Sequence, residues 1–362
     1  MRRSRIITLL AAVAFALVAC GGSSGGGGSS SSSSGGKKIA LLLPETKTAR
    51  YESKDRPYFT DKLKSLCSDC TVIYSNANQD AAQQQSQAEA ALTNGANVLV
   101  LDAVDAASAS GIAQKAKQQK VPVISYDRLV TGTDAIDYYI SFDNVAVGKL
   151  QGTALLQALG SKTNAPVVMI NGAPTDNNAK LFKQGAHSVL DGKVQIAKEY
   201  DTPDWSPNKA QDEMTQALTA LNNKVDGVYA ANDGTAGGAI AAMKSGGIKP
   251  LPPVTGQDAE LAGIQRIVAG EQYMTVYKAI KPEAEGAATL AYDLATGKSV
   301  PSSMTSGNKV NNGSKDVPSV LLTPVSVTKD NIKDTVVKDG YWSTTDICTA
   351  QYADACKAAG LS

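Results

Sequence analysis

The sequence predicts an α/β protein built from two doubly wound domains with parallel sheets. Three observations predict it. The chain has 362 residues, more than one hydrophobic core usually serves. About ten short, β-branched apolar runs alternate with Ala-, Gln- and Lys-rich segments of helical period. The runs are continuously apolar, as strands buried on both faces are, and ten of them exceed one modest sheet.

The chain opens on "MRRSRIITLLAAVAFALVAC". Arg2, Arg3 and Arg5 precede an apolar run, Ile6 to Ala19, too short for a comfortable membrane span and suited to an export signal over residues 1–19. "LVAC" resembles the lipobox of bacterial lipoproteins, which makes Cys20 the lipidated first residue of the mature chain; the rival reading is a plain signal with an incidental Cys. Gly21 to Gly36 is only Gly and Ser. Such a stretch spans roughly 20–25 Å on average and buries nothing. Residues 20–36 therefore read as a lipidated Cys and a tether, holding the protein at the extracytoplasmic face of a membrane.

The strand runs come in this order: "KIALLL", "TVIY", "NVLVL", "VPVIS", "YYISF", "PVVMI", "VQIAKEY", "VDGVYA", "PPVTG" and "YMTVY". In open α/β sheets ligands bind beyond the carboxyl ends of strands. The residues just past each run are therefore the candidate site. "PETKTARY" succeeds the first, "YDR" the fourth, "NGAPTDNN" the sixth, "ANDGTAGG" the eighth, "QDAELAG" the ninth, and "YK" follows the "YMTV" of the last. These tips offer carboxylates, amides, Arg50, Arg128 and Lys278, with rings from Tyr51 and from Trp205 just beyond "VQIAKEY". Sugars need that mixture: carboxylates and amides for hydroxyls, directional Arg and Asp, flat rings for C–H faces. Asp and Asn at strand ends also serve as turn and cap residues, so no single tip decides the matter.

Composition removes other classes. Net charge is +1, which gives no footprint for nucleic acid. There is 1 His, His187, so His-rich metal sites are excluded, and its helical setting reads as surface or packing. Neither G-x-x-x-x-G-K-[ST] nor a G-x-G-x-x-G after the first strand is present, which argues against nucleotides. No cofactor or metal is called for. Besides Cys20 four cysteines remain, an even number suited to an oxidising compartment. The local pairings Cys67–Cys70 and Cys348–Cys356 are preferred; a redox C-x-x-C and a four-thiolate zinc site are the rivals.

Five long segments carry a resemblance: "YDRLVTGTDAIDYYISFDNVAVGKLQG", "PTDNNAKLFKQGA", "ANDGTAGGAIAAM", "GQDAELAGIQRIVAGEQYMTVYK" and "VPSVLLTPVSVTKDNIKDTVVKDG". Together they closely resemble the D-xylose-binding proteins of bacterial ABC sugar importers, a branch of the type I periplasmic binding proteins. The resemblance runs from about Lys38 to Tyr341. It implies two lobes joined by a three-segment hinge, with crossings near Phe142–Asn144, Tyr277–Ala279 and Val310–Leu321. The N-terminal lobe would then be 38–142 plus 279–312, and the C-terminal lobe 143–278 plus 320–362. It implies a monomer that closes on a monosaccharide and docks on a membrane ABC permease. Carried over by position, the ligand-binding set is Arg50, Tyr51, Asp127, Arg128, Asn177, Trp205, Asn232, Asp258 and Lys278. The family often has Trp where Tyr51 stands. The tether, "CSDC" and the tail "YWSTTDICTAQYADACKAAGLS" depart from the family; Trp342 in that tail is expected to pack on the second lobe. The alternatives are the same clamp for glucose, galactose or arabinose, service to a sensor or chemotaxis receptor, a sugar-processing enzyme using Asp127 and Asp258, and a repressor of this fold, whose helix-turn-helix the signal replaces.

Overall fold

The structure is a computed structural model that describes residues 36–361 apart from Thr163. The signal, Cys20 and the tether up to residue 35 lie outside the described residues. The first half of the chain runs β1 (Lys38–Leu43), α1 (Arg56–Leu66), β2 (Thr71–Asn76), α2 (Ala81–Thr93), β3 (Val98–Leu101), α3 (Ser110–Gln118), β4 (Val123–Tyr126) and β5 (Tyr138–Phe142). These strands lie parallel in the order β5-β4-β3-β1-β2. In β1, Ile39, Leu41 and Leu43 enter one core while Ala40 and Leu42 enter the other. Successive strand residues point to opposite faces, so a strand covered on both sides must be apolar at every position.

After Phe142 the chain leaves this sheet. Asp143 caps α4 (Asn144–Leu159) by accepting from the Ala146 N–H. Then come β6 (Pro166–Asn171), α5 (Asn177–Leu190), β7 (Gln195–Asp201), α6 (Pro207–Ala220), β8 (Gly227–Ala230), α7 (Asp233–Ser245), α8 (Leu261–Ala269) and β9 (Met274–Tyr277). β7, β6 and β8 form a parallel sheet with a core on each face. "PPVTG", a strand by composition, is not one. It makes only single bridges, Val254 to Val228 and Gln257 to Val276, because Pro252 and Pro253 have no N–H to give a ladder. Those two bridges nevertheless connect β8 to β9. The Gln151 amide helps there, donating to the carbonyls of Ala230, Ala231 and Gly256.

The chain returns to the first sheet through α9 (Ile280–Thr296), which packs on the β1–β3–β4 face. Next are α10 (Ser302–Thr305), β10 (Lys309–Asn311) and β11 (Asp316–Leu322). β11 lies parallel to β5, with Ser319 opposite Tyr139 and Leu322 opposite Phe142. The return therefore extends to Leu322, not to 312, and the second body resumes at β12 (Val325–Thr328), not at 320. The crossing is the Thr323–Pro324 step, where Pro ends the ladder. β12 then pairs antiparallel with β9.

Cys67 is bonded to Cys70 and Cys348 to Cys356, which occupies all four thiols of the expected zinc alternative. The tail packs its Ile347, Cys356 and Leu361 against Ile264, Ile267, Val268 and Val327, with Trp342 at the edge of that cluster. In the chain-entropy account, closing a loop this short stabilises by about 2–3 kcal/mol. Cys348→Ser with Cys356→Ser should therefore lower the melting temperature by several degrees without abolishing ligand binding. An unchanged melting curve would show that the bridge constrains nothing.

His187, on α5, places Nδ1 2.8 Å from Asp191 Oδ1 and Nε2 3.0 Å from Glu199 Oε1 on β7. Partial burial alone would depress its pKa, but hydrogen bonds to the Glu199 and Asp191 carboxylates outweigh that and raise it above the usual 6.5. A raised folded-state pKa means stabilisation fully present below the unfolded value and lost as pH rises through the folded one. The single imidazole resonance should titrate above pH 6.5 in an NMR series. His187→Gln should flatten the melting temperature across that same window.

Candidate functional site

Both sheets turn the carboxyl ends of their strands toward one space of ≈ 270 Å³, mouth included. The first sheet contributes Thr48, Arg50 and Tyr51 beyond β1, and Asp127 and Arg128 directly beyond β4. The second contributes Asp176, Asn178 and Phe182 at the start of α5, Trp205 beyond β7, Asn232 at the start of α7, Gln257 and Asp258 past the prolines, and Lys278 beyond β9. Eight of the nine expected residues thus meet. Asn177 does not; its place is taken by Asn178. Asp176 is the N-cap of α5, and one residue along a helix turns the side chain by about 100°. Asn178 and Phe182, four apart, share the inward face. That spacing was readable in "DNNAKLF". Thr48, Asp176 and Gln257 were also missed, each close to a residue that the strand tips do single out.

Arg50 is surrounded by four carboxylates. Asp55 receives it two-fold, Nε to Oδ2 at 3.0 Å and Nη2 to Oδ1 at 2.6 Å, and Glu283 of α9 takes Nη2 at 2.8 Å. Nη1 is left pointing between Asp127 Oδ2 at 3.4 Å and Asp258 Oδ1 at 3.9 Å. Asp55 and Glu283 are fully buried and do not line the space; they hold the guanidinium that does. Arg128 answers from the same sheet. Its Nε lies 3.0 Å from Asp176 Oδ2, across to the second sheet, and its Nη2 donates to the Tyr51 hydroxyl at 3.1 Å. That hydroxyl donates in turn to Asp127 Oδ2 at 3.2 Å.

The adjacency of Asp127 and Arg128 now has a local cause. Asp127 sits at φ +54°, in the left-handed region that Asp tolerates better than most residues. The chain turns so sharply that Arg128 N–H donates to Tyr126 carbonyl at 2.6 Å. Both side chains are thereby delivered at the strand tip. The Asp127 carbonyl accepts from Asn178 Nδ2 at 2.9 Å, a second tie between the sheets. Asn232 has two duties: its Oδ1 caps α7 through Thr235 N–H at 2.8 Å, and its side chain still lines the space.

Three cations and three carboxylates line the site: Arg50, Arg128 and Lys278 with Asp127, Asp176 and Asp258. Burial alone would push the Asp127 carboxyl up, but Arg50, Lys278 and Arg128 together hold it down at about 2. Lys278 loses basicity to burial and regains more from Asp127 and Asp258, so its pKa is raised. Its Nζ is 3.0 Å from Asp258 Oδ1, a charge contact lying off the hydrogen-bond direction. Asp176 is pushed up by burial. Both its oxygens are engaged, Oδ1 by the Asn178 N–H and Oδ2 by Trp205 Nε1 at 3.1 Å. Four buried polar atoms have no hydrogen-bond partner in the protein and belong to lining residues: Arg50 Nη1, Asp127 Oδ1, Asp258 Oδ1 and Gln257 Oε1. Phe182 and Trp205 meet edge to face, centroids 6.4 Å apart.

Paired α/β sheets, a chain that passes between them three times, and a polar space fed by the strand tips of both define a binding protein of the type I periplasmic fold. Residues 39–299 match the family described as periplasmic binding protein domain, and the chain belongs to that family. It is 42% identical over 309 residues to the D-xylose-binding periplasmic protein of Escherichia coli (strain K12), covering 84% of this chain and 90% of the relative. The Haemophilus influenzae protein of the same name is 39% identical with the same coverage. Among solved structures, an ABC transporter solute-binding protein from Clostridium phytofermentans with bound β-D-glucose superposes with a TM-score of 0.79 at 28% identity, covering 86% of this chain and 100% of the other.

Trp205 owes its seat to a glycine. A Cβ on Gly172 would lie 2.0 Å from the indole Cη2, so any side chain there evicts the ring. Gly172→Ala should red-shift the Trp205 fluorescence and destabilise the fold by about 1–3 kcal/mol, as overpacking does. An unshifted spectrum would mean the ring has room to spare.

Proposed function

We propose that the chain is an extracytoplasmic receptor for a neutral monosaccharide, D-xylose first, which it encloses by hinge closure and delivers as a monomer to an ABC permease. The observation that carries this reading is the set of four unpartnered buried polar atoms. Leaving a buried donor or acceptor unpaired costs about 1–3 kcal/mol each. Arg50 Nη1 is a donor and the three oxygens are acceptors. A ring of hydroxyls, each able to donate and accept, satisfies such a set. The lining charges balance, three against three, which favours an uncharged sugar over a uronate or a sugar phosphate. Tyr51, Phe182 and Trp205 provide faces for C–H groups. The names of the two relatives favour xylose; the bound glucose of the solved structure makes glucose the second reading.

The receptor binds and does not transform its ligand. Glycoside hydrolysis needs an acid that can deliver a proton. Asp127 is held ionised, and Asp176, though raised, has both oxygens occupied. The lipid on Cys20 and the Gly/Ser tether keep the receptor at the membrane surface, within reach of the permease.

Isothermal titration of the purified protein with D-xylose, D-glucose, D-galactose and L-arabinose tests the reading. One-to-one binding with xylose tightest is expected, and Trp205→Ala should weaken it about tenfold or more, ~1.4 kcal/mol. Tightest binding of glucose would move the ligand and keep the clamp. Absence of heat with all four would overturn the sugar reading.

A further inference from the structure

The C-terminal segment lies beyond the family match at residues 39–299, yet it touches the site. Asp258 and Ala259 stand at φ +87° and +47°. Two consecutive non-Gly residues in this region persist only where the surroundings over-determine them. The surroundings here are the tail. Tyr341 donates its hydroxyl to the Asp258 carbonyl at 3.3 Å, and Trp342 donates Nε1–H to the Ala259 carbonyl at 2.7 Å. Neighbouring aromatic donors thus hold neighbouring carbonyls. The Tyr341 ring is buried between Tyr277 and Trp342, at centroid distances of 5.1 and 5.5 Å. The segment is secured in turn by the Cys348–Cys356 bond and by Gln265 Nε2 on the Asp346 carbonyl at 3.1 Å.

A second contact arrives from the opposite sheet. Lys54 belongs to the wide turn Tyr51–Asp55 that carries Tyr51. Its Nζ donates to the Tyr341 carbonyl at 2.7 Å and lies 4.1 Å from the Trp342 ring centroid. Cation–π attraction of this kind favours Trp most. The same two residues therefore brace Asp258 from one side and receive Lys54 from the other.

We propose that the C-terminal segment is part of the binding machinery: Tyr341 and Trp342 are positioning residues that fix how Asp258 is presented, and Lys54 docks on them across the cleft to slow ligand release. The release part rests on the sugar-clamp reading; the bracing of Asp258 does not.

The test uses the intact protein and four variants, Tyr341→Phe, Trp342→Phe, Lys54→Met and Lys54→Arg. Tyr341→Phe keeps the ring and deletes only the donor; Trp342→Phe removes the indole N–H together with part of the ring that Lys54 faces. Without ligand, hydrogen exchange at the amides of residues 258–260 should quicken about fivefold or more in both, with distant peptides unchanged. With the best-bound of the four sugars, Trp342→Phe and Lys54→Met should raise the dissociation rate about three- to tenfold and leave the association rate nearly unchanged. Lys54→Arg should restore slow release. Unchanged exchange in both Phe variants would overturn the positioning role. Wild-type release from Lys54→Met would overturn the docking role. Should the wild type bind none of the sugars, the sugar reading and the release part would fall together, and the exchange data would still decide the bracing.

Discussion

A guanidinium sealed from water is the constraint on which the site depends. The Arg50 side chain is 1% exposed, and four carboxylates gather around it: Asp55 and Asp127 from the first sheet, Glu283 from the helix just past the second crossing, and Asp258 from the second sheet. A buried charge is tolerated when its partners are close and correctly oriented, and removing one partner typically costs about 3–5 kcal/mol. The two sheets, the crossing and α9 therefore cannot be arranged independently. They must converge on one planar cation. Asp55 and Glu283 take its inner edge, and the remaining Nη1 points outward because nothing else is left for it to do.

The same economy governs the backbone. Asp127, Trp205 and Asp258 all line the space, and all have positive φ. A strand that ran straight on would carry its next side chains past the cleft. The left-handed residue turns the chain within one step and aims the side chain where the strand itself could not. Such conformations cost about 1–3 kcal/mol each and gather at functional sites. Local hydrogen bonds hold them: Asp127 N–H to Ile140, Asp258 N–H to Val276, and the two tail donors on the carbonyls of residues 258 and 259.

Much of this is legible in the amino-acid order. Nine apolar runs became strands; seven of them are buried and carry the mark of burial on both faces in full, while β2 and β7 lie at sheet edges and are at most half-buried. "PPVTG" misled because composition spoke for a strand while two prolines removed its donors. β11 was misplaced at the third crossing because half its residues are only partly buried and its neighbour, β5, is far off in the sequence. At the site, residues beside strand tips were found and residues set by helical phase were missed by one, as Asn177 against Asn178 illustrates. Asp55 and Glu283 left no signal. Their role exists only through Arg50, and a residue that acts through another has no pattern of its own. For the tail, the sequence supported its local disulfide and the packing of Trp342 on the second lobe, but not its hold on two carbonyls, which no sequence displays.

The pairing of β11 with β5 has a consequence for how the chain is made. Ser319 meets Tyr139, so the first sheet lacks an inner strand until nearly the whole polypeptide has been synthesised. Nascent chains stopped short of β11 present β5 as a bare edge, the kind that recruits other chains. The molecule cannot be assembled one lobe after the other from its N-terminus. The first sheet is therefore completed only after the second body has been made.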